Sequence, residues 1–141
     1  MSFNIARADR HEITIMETIT HFRIKKMSPQ FLVADIERSI EFYTKLGFEI
    51  DFRYEDFYVG IVKDGCSLHL KSGKPSIEQR KEKGNDESLD IVFSVDGIEK
   101  VYQELLNKPI KFIQPLRDMP YGKEFYVADP DGYIIAFLTE A

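Results

Sequence analysis

The stretch Tyr121-Gly-Lys-Glu-Phe-Tyr-Val-Ala-Asp-Pro-Asp-Gly-Tyr-Ile-Ile-Ala-Phe137 contains two strand-like runs joined by an Asp-Pro-Asp-Gly turn. Pro130 fixes its own φ angle, Gly132 tolerates a positive φ, and Asp129 and Asp131 can accept hydrogen bonds from nearby backbone amides. The chain must therefore reverse direction between two runs that are rich in aromatic and β-branched residues. The stretch predicts a β-hairpin whose second strand ends in a small apolar run.

Upstream of this hairpin, the hydrophobic period changes in the same order twice, over about residues 27–72 and again over about residues 88–140. Each time the pattern predicts a strand, a helix and three strands. The predicted helices are Ile36–Leu46 and Ile98–Leu106, and the predicted strands are Gln30–Ala34, Phe48–Phe52, Phe57–Val62, Ser67–Lys71, Leu89–Val95, Lys111–Leu116, Glu124–Val127 and Tyr133–Thr139. The fold class is therefore predicted as α+β, with two βαβββ modules whose curled sheets form a partly closed barrel, the helices outside and a concave groove inside.

Local signals support the two helices. Asp35 and Asp96 each follow a predicted strand and are the expected N-caps, and Glu99 would complete a capping box with Asp96. Each helix carries one apolar stripe that is expected to face its sheet. The stripes consist of Ile36, Ile40, Tyr43 and Leu46 in the first helix, and of Ile98, Val101, Tyr102, Leu105 and Leu106 in the second.

Composition limits the classes of function. The chain has 141 residues and a formal net charge of −5, with lysines and arginines scattered among carboxylates, which argues against nucleic-acid binding. No segment has the length of a membrane span or the pattern of a signal peptide, so we expect a cytoplasmic protein without a membrane partner. Cys66 is the only cysteine and is expected to be a small core residue. Residues 1–26 form a predicted extension, either a helix or an added strand, that packs on the domain of residues 27–141 or on a partner subunit.

Four stretches resemble the vicinal oxygen chelate superfamily, which includes glyoxalase I, bleomycin resistance proteins, fosfomycin-modifying enzymes and extradiol dioxygenases. They are Asp35–Phe48, Asp64–Leu70, Asp90–Asp96 and Phe125–Gly132. The resemblance covers about residues 27–140. It implies paired βαβββ modules, often assembled as dimers, and we therefore expect a homodimer.

Members of the superfamily that use a metal place side chains from the first, fourth, fifth and eighth strands around a divalent ion. Matched residue by residue, the resemblance puts at these positions Ser28, His69, Asp90 and Ala136. Only His69 and Asp90 could bind an ion, and a catalytic ion typically needs three protein ligands. We therefore expect no metal and no cofactor. The alternative is a lyase, isomerase or dioxygenase with an atypical divalent metal site, completed by Glu124 or Glu140.

His69 also suggests a metal-free alternative. Because it lies between Leu68 and Leu70 on a predicted strand, its side chain is expected to point away from theirs and into the groove. If Asp90 lies within hydrogen-bond reach, the two could form an acid–base pair for proton transfer. His69 and Asp90 are therefore the candidate catalytic residues.

The bleomycin resistance proteins give the best match, through Leu46–Phe52, Glu55–Phe57, Leu68–Leu70 and Gly122–Phe125. Those proteins are not enzymes; they are acidic dimers that bind a bulky, cationic, flat-ringed drug in interface grooves. The resemblance implies a metal-independent protein that binds a small organic ligand, for example by sequestering an aromatic or cationic antibiotic. Because the chain has no tryptophan, a smaller aromatic or amphipathic ligand is an equal expectation.

The residues expected to contact this ligand combine aromatic faces with polar groups. They are Ser28, Gln30, Phe52, Tyr54, Phe57, His69, Asp90, Phe112, Tyr121, Glu124, Tyr126 and Ala136. Tyr58 and the carboxylates of Asp51, Glu55 and Asp56 belong to the same aromatic and acidic set.

Overall fold

A computed structural model describes residues 3–7, 13–18, 21–75 and 89–140. These ranges contain two helices and ten strands. The helices are α1 (Ile36–Lys45) and α2 (Ile98–Leu106), and the strands are β1 (Phe3–Arg7), β2 (Ile13–Glu17), β3 (Gln30–Val33), β4 (Glu49–Tyr54), β5 (Tyr58–Lys63), β6 (Cys66–Ser72), β7 (Ile91–Ser94), β8 (Lys111–Met119), β9 (Gly122–Ala128) and β10 (Ile134–Glu140). No helix in these ranges has the length and apolar composition needed to span a membrane.

The strands form two four-stranded mixed sheets, in the orders β3-β6-β5-β4 and β7-β10-β9-β8. In each sheet the first strand of the module pairs in parallel with the last one, and the other pairs are antiparallel. The prediction of an α+β fold with two βαβββ modules is therefore confirmed. The two sheets do not hydrogen bond to each other, so the curled arrangement is only partly closed.

The predicted extension contains β1 and β2, which pair antiparallel from Phe3 opposite Glu17 to Arg7 opposite Ile13. They form a separate two-stranded sheet, and neither strand joins a four-stranded sheet. The strand alternative thus fits this segment better than the helix. Its packing on the body or on a partner, and the domain boundary at residue 26, stay predictions.

The two helices begin differently. Asp35 is the N-cap of α1, and its carboxylate accepts a hydrogen bond of 3.1 Å from the Arg38 amide, as predicted. The prediction for Asp96 is wrong, because the N-cap of α2 is Gly97, at φ 62°, with no side-chain capping bond. Glycine reaches this left-handed conformation without a Cβ clash, which moves Asp96 one residue outside the cap. Glu99, expected to complete a capping box, instead pairs with Lys123 at 2.6 Å.

One hydrophobic core spans both modules and lies between the helices and the sheets. Its fully buried side chains include Tyr43, Val59, Leu70, Phe125 and Ile135. Leu106 is the exception among the predicted stripe residues, since it is 46% exposed. Successive helix residues lie about 100° apart, so Leu105, which is buried, and Leu106 cannot both face the sheet.

The Asp-Pro-Asp-Gly turn joins β9 to β10, as predicted. The Asp129 carboxylate accepts 2.9 Å hydrogen bonds from the amides of Asp131 and Tyr133, and Gly132 has φ 88°. Both aspartates are buried. The turn is therefore stabilised by hydrogen bonds from its own backbone amides to the Asp129 side chain.

The same turn joins the two modules. Tyr43 on α1 donates a 2.7 Å hydrogen bond to Asp129. Asp131 accepts from the Ala34 amide at 3.0 Å and lies 3.3 Å from the Arg38 guanidinium. Carboxylates buried with this many donors hold the second module against the start of α1.

A second tight turn joins β5 to β6, where Lys63 pairs with Cys66. Asp64 and Gly65 have φ angles of 51° and 79°, the left-handed pair that a two-residue hairpin needs. Cys66 is exposed, so the expectation that it belongs to the core is wrong. Its position directly after the turn places the thiol at the edge of the hairpin.

Candidate functional site

Backbone pairing in the first sheet brings four of its residues to one face. His69 on β6 lies opposite Gln30 on β3 and Gly60 on β5, and Gly60 lies opposite Phe52 on β4. Residues directly opposite each other share a face of the sheet. Leu68 and Leu70, the neighbours of His69, are buried in the core on the other face.

Aromatic rings on and beside this face form what we call the aromatic pocket, a cavity of about 480 Å³ lined by Phe52, Tyr54, Phe57 and Tyr58. Phe52 stacks on Tyr58 with the ring centroids 6.0 Å apart and the planes 14° apart. Tyr54 lies 5.8 Å from Phe52 and 6.5 Å from Phe57. Tyr54 and Phe57 are 61% and 57% exposed, so apolar ring surface is available to a ligand.

Gly60 makes room for the pocket's central ring. A Cβ atom added at Gly60 would lie 2.1 Å from Cε2 of Phe52, which shows that the Phe52 ring lies directly against the Gly60 backbone. A glycine inside a strand often marks such a close approach. Gly60 was not predicted as a site residue, although a lone glycine within the apolar run Tyr58–Lys63 was the available signal.

A chain of polar contacts lies beside the aromatic pocket. Gln30 Nε2 donates a 3.0 Å hydrogen bond to Tyr58 Oη, which lies 2.9 Å from Nδ1 of His69. Phe52 contacts the His69 ring edge-to-face, at 5.2 Å and 87°. Nε2 of His69 is buried and has no hydrogen-bond partner among the residues that the structure describes.

The two candidate catalytic residues have separate partners. Asp90 accepts a 2.8 Å hydrogen bond from the Ile134 amide, and its own amide donates to the Ile134 carbonyl at 2.9 Å. His69 is bonded through Nδ1 to Tyr58. The expected His69–Asp90 hydrogen bond is therefore not formed in this structure, and the catalytic role of the pair stays a prediction.

The second sheet carries a buried carboxylate with four donors. Glu124 on β9 accepts from Nε and Nη2 of Arg117 at 2.8 and 2.6 Å, from Tyr126 Oη at 3.0 Å and from Tyr121 Oη at 2.7 Å. Burial raises the pKa of Glu124, but hydrogen bonds from Tyr121, Arg117 and Tyr126 outweigh it and hold the pKa below its usual value. Tyr121, Glu124 and Tyr126 are thus brought together as a group, which we call the Glu124 cluster.

The Glu124 cluster also raises the pKa of both of its tyrosine hydroxyls. Burial raises the pKa of the Tyr126 hydroxyl, and the hydrogen bond to Glu124 raises it further. For Tyr121 the hydrogen bond to Glu124 is the main cause of a raised pKa.

Arg117, whose guanidinium lies 5.5 Å from the centre of the Tyr126 ring, was missed from sequence because no motif marks it. Only the pairing of β8 with β9, which puts Arg117 opposite Glu124, shows the contact.

Three of the four positions matched to metal ligands offer either no donor atom or one that is already hydrogen bonded. Ala136 offers only a methyl group, the Ser28 hydroxyl donates to the Ser67 hydroxyl at 2.8 Å, and Asp90 accepts from a backbone amide. To reach these positions Glu124 would have to leave Arg117, with which it forms a half-buried ion pair. Across residues 3–7, 13–18, 21–75 and 89–140, no three His, Cys, Asp or Glu side chains are grouped closely enough to hold a metal.

Phe112 lies on the core side of its sheet and not in the groove. It pairs with Val127, which is fully buried, and contacts Tyr102 edge-to-face at 5.4 Å and Phe125 at 5.9 Å. The expectation that Phe112 faces a ligand is therefore corrected. A register shift follows Phe112, so alternation along β8 does not predict which face each residue takes.

The acidic residues around the aromatic pocket are mostly paired. Asp51 lies 3.3 Å from Lys26, and Asp56 lies 2.6 Å from Arg53. Glu55, between Tyr54 and the pocket's Phe57 in the turn after β4, contributes its backbone carbonyl to Arg53 at 2.8 Å. Glu55 is exposed in this turn, next in the chain to Tyr54 of the aromatic pocket.

Comparison with known proteins agrees with this architecture. UcmS2 superposes with a TM-score of 0.67 at 21% identity, covering 83% of this chain and 98% of that one. TnmS3, described as an antibiotic binding protein from Streptomyces sp. CB03234, superposes with a TM-score of 0.64 at 18% identity, covering 89% of this chain and 100% of that one. A bleomycin-binding protein complexed with bleomycin superposes with a TM-score of 0.63 at 14% identity, covering 84% of this chain and 100% of that one.

These identities are low, so the likenesses establish the fold alone. A search of the curated proteins found no match. The family model described as Glyoxalase/Bleomycin resistance protein/Dioxygenase superfamily matches residues 18–137, which is most of the chain. The chain belongs to the glyoxalase/bleomycin resistance protein/dioxygenase superfamily.

Proposed function

We propose that this protein binds a flat aromatic compound in the aromatic pocket, without a metal ion, and so removes it from solution. The observation that carries the proposal is the cavity of about 480 Å³ lined by four aromatic side chains, two of which expose more than half their surface. Aromatic rings bind flat apolar molecules by stacking and by burial of apolar area. A cavity of this size suits a ligand of a few fused rings.

The charge of the protein favours a cationic ligand. The net charge of −5 attracts cations over a distance, and Glu55 places a carboxylate beside Tyr54. The faces of Tyr54, Phe57 and Tyr58 can add cation–π attraction. An aromatic antibiotic with a positive charge would satisfy both features, and the structural likeness to proteins described as binding antibiotics supports this class.

The proposal excludes a metal from the binding step. The available donor atoms support this. Ala136 has only a methyl group, and the Ser28 hydroxyl is already bonded to Ser67. The carboxylates of Asp90 and Glu124 are held by the Ile134 amide and by Arg117. Catalytic ions need several converging donor atoms with an open position. Ligand affinity should therefore survive treatment with a chelator.

We further propose that the protein acts as a homodimer in the cytoplasm. Leu32 on the edge strand β3 and Val92 on the edge strand β7 are 39% and 48% exposed, and a second copy would bury them. The exposed thiol of Cys66 suits a reducing compartment. Sedimentation equilibrium tests the dimer, and a monomer at micromolar concentration would contradict it.

The binding test uses 9-aminoacridine, a flat three-ring monocation, measured by isothermal titration calorimetry. Wild-type protein is compared with the double variant Tyr54→Ala/Phe57→Ala, which removes two exposed rings without opening the core. Phe22→Ala is the matched control, because Phe22 is 63% exposed and lies outside the pocket. We expect at least a tenfold loss of affinity in the double variant and none in the control.

The enzymatic alternative makes a different prediction. A lyase, isomerase or dioxygenase of this superfamily would convert its bound compound, whereas a sequestering protein returns it unchanged. Mass spectrometry of the 9-aminoacridine recovered after binding is expected to show the intact probe.

In the calorimetric test, equal affinity of the Tyr54→Ala/Phe57→Ala variant and the wild type would refute the proposed site.

A further inference from the structure

The hydrogen bonds from Gln30 through Tyr58 to His69 run in one direction. Nε2 of the Gln30 amide can only donate, so Tyr58 Oη accepts from it at 3.0 Å. The hydroxyl hydrogen of Tyr58 is then free to point at Nδ1 of His69, 2.9 Å away. With the Tyr58 hydrogen directed at it, Nδ1 is the acceptor, and this arrangement assigns the single proton of a neutral imidazole to Nε2.

This N–H group is a donor without an acceptor. Nε2 of His69 is buried and has no hydrogen-bond partner in the described part of the chain. Buried donors are nearly always satisfied, because a donor that has lost water without gaining a partner costs free energy. Because the His69 ring packs against Phe52 and Tyr58 of the aromatic pocket, a molecule bound there could supply the missing partner.

We propose that His69 Nε2–H is the specificity-determining donor of the aromatic pocket, and that the ligand is a flat aromatic compound with a hydrogen-bond acceptor on its ring edge. A ring carbonyl or a ring nitrogen has the right chemistry. The inference rests on the proposed function. It adds that the pocket selects its ligand by a hydrogen-bond acceptor as well as by flat apolar surface. Aromatic compounds of equal size and charge that lack the acceptor bind less tightly.

Phe52 packs against the ring that carries this donor. Its ring contacts His69 edge-to-face and, unlike Tyr58, carries no group that can form a hydrogen bond. Tyr58 is held in place by hydrogen bonds with Gln30 and His69, whereas Phe52 is held by packing alone, against Tyr54, Tyr58, His69 and Gly60. A ligand ring can therefore displace Phe52, stack on Tyr58 in its place, and bring its acceptor to Nε2.

The test compares two probes that differ only in the acceptor: an anthraquinone and an anthracene that carry the same quaternary ammonium side chain. Both are flat three-ring cations. Calorimetry is expected to show about tenfold tighter binding of the anthraquinone to the wild type, the usual worth of one hydrogen bond at a buried site. His69→Phe keeps a ring and removes the donor, so it should bind both probes equally; His21→Phe, an exposed histidine elsewhere, should keep the preference.

The outcomes separate the two proposals. Equal, tight binding of both probes to the wild type overturns the role of His69 and leaves the aromatic pocket standing. Failure of both probes to bind overturns the pocket together with it. A second measurement needs no variant: nitrogen-15 NMR of the free protein is expected to find the His69 proton on Nε2, and a proton on Nδ1 would overturn the inference.

Discussion

Asp129 is predicted to make the stability of the protein fall as the pH rises from about 4 to about 6. Burial raises the pKa of its carboxyl from 3.8 to about 6, against the lowering effect of hydrogen bonds from Tyr43 and from the Tyr133 and Asp131 amides. In this pH range the folded protein holds a proton that the unfolded chain has released. The stabilisation of the fold by the protonated Asp129 carboxyl is therefore complete below pH 3.8 and is lost as the pH rises through 6.

The magnitude follows from the shift of about two pKa units, since each unit corresponds to about 1.4 kcal/mol, or about 3 kcal/mol in total. Asp129→Asn removes the titration but keeps an oxygen that can accept from the Asp131 and Tyr133 amides. The free energy of unfolding of the wild type relative to this variant should therefore decrease by about 3 kcal/mol between pH 3 and pH 7. Other titrating groups cancel in this difference.

The assay is urea denaturation followed by far-ultraviolet circular dichroism at half-unit steps of pH. Asp64→Asn is the matched control, because Asp64 lies in the exposed β5–β6 turn at φ 51°, a conformation that asparagine also tolerates. Its stability should follow that of the wild type at every pH. A constant difference between the wild type and Asp129→Asn would refute the reasoning.

Two other substitutions test the local geometry. Gly60→Ala places a methyl group 2.1 Å from the Phe52 ring, so the ring must move. We expect the affinity for 9-aminoacridine, measured by calorimetry, to change at least tenfold. An unchanged affinity would contradict the described packing. Asp35→Ala should lower the free energy of unfolding by about 1 kcal/mol through loss of the α1 cap, whereas Asp96→Ala should lower it by less than half of that. Thermal denaturation of the two aspartate variants checks this, and equal losses would show that Asp96 also caps its helix.

The elements of the fold could be predicted from sequence because their signals are local. The hydrophobic period, the aspartate at residue 35 and the Asp-Pro-Asp-Gly turn each report on a few neighbouring positions. Predictions failed where one residue changed the local geometry, as Gly97 did at the start of α2. Phe112 was misplaced because the register shift that follows it leaves no trace in the alternation of β8.

The candidate site was predictable in its residue types and not in its contacts. Phe52, Tyr54 and Phe57, which were expected to contact the ligand, line one cavity together with Tyr58. The bonds from Gln30 to Tyr58 and from Tyr58 to His69 depend on which residues face each other across three strands, and the sequence contains no record of that register. The pairing of Arg117 with Glu124 is hidden for the same reason.

The proposed function requires that the aromatic pocket bind a flat aromatic cation without a metal ion. The decisive measurement is calorimetric titration of 9-aminoacridine into protein carrying no histidine tag, before and after dialysis against a chelator. We expect the same affinity in both titrations. Loss of binding after dialysis, with recovery on addition of a zinc, nickel, manganese or iron salt, would contradict it.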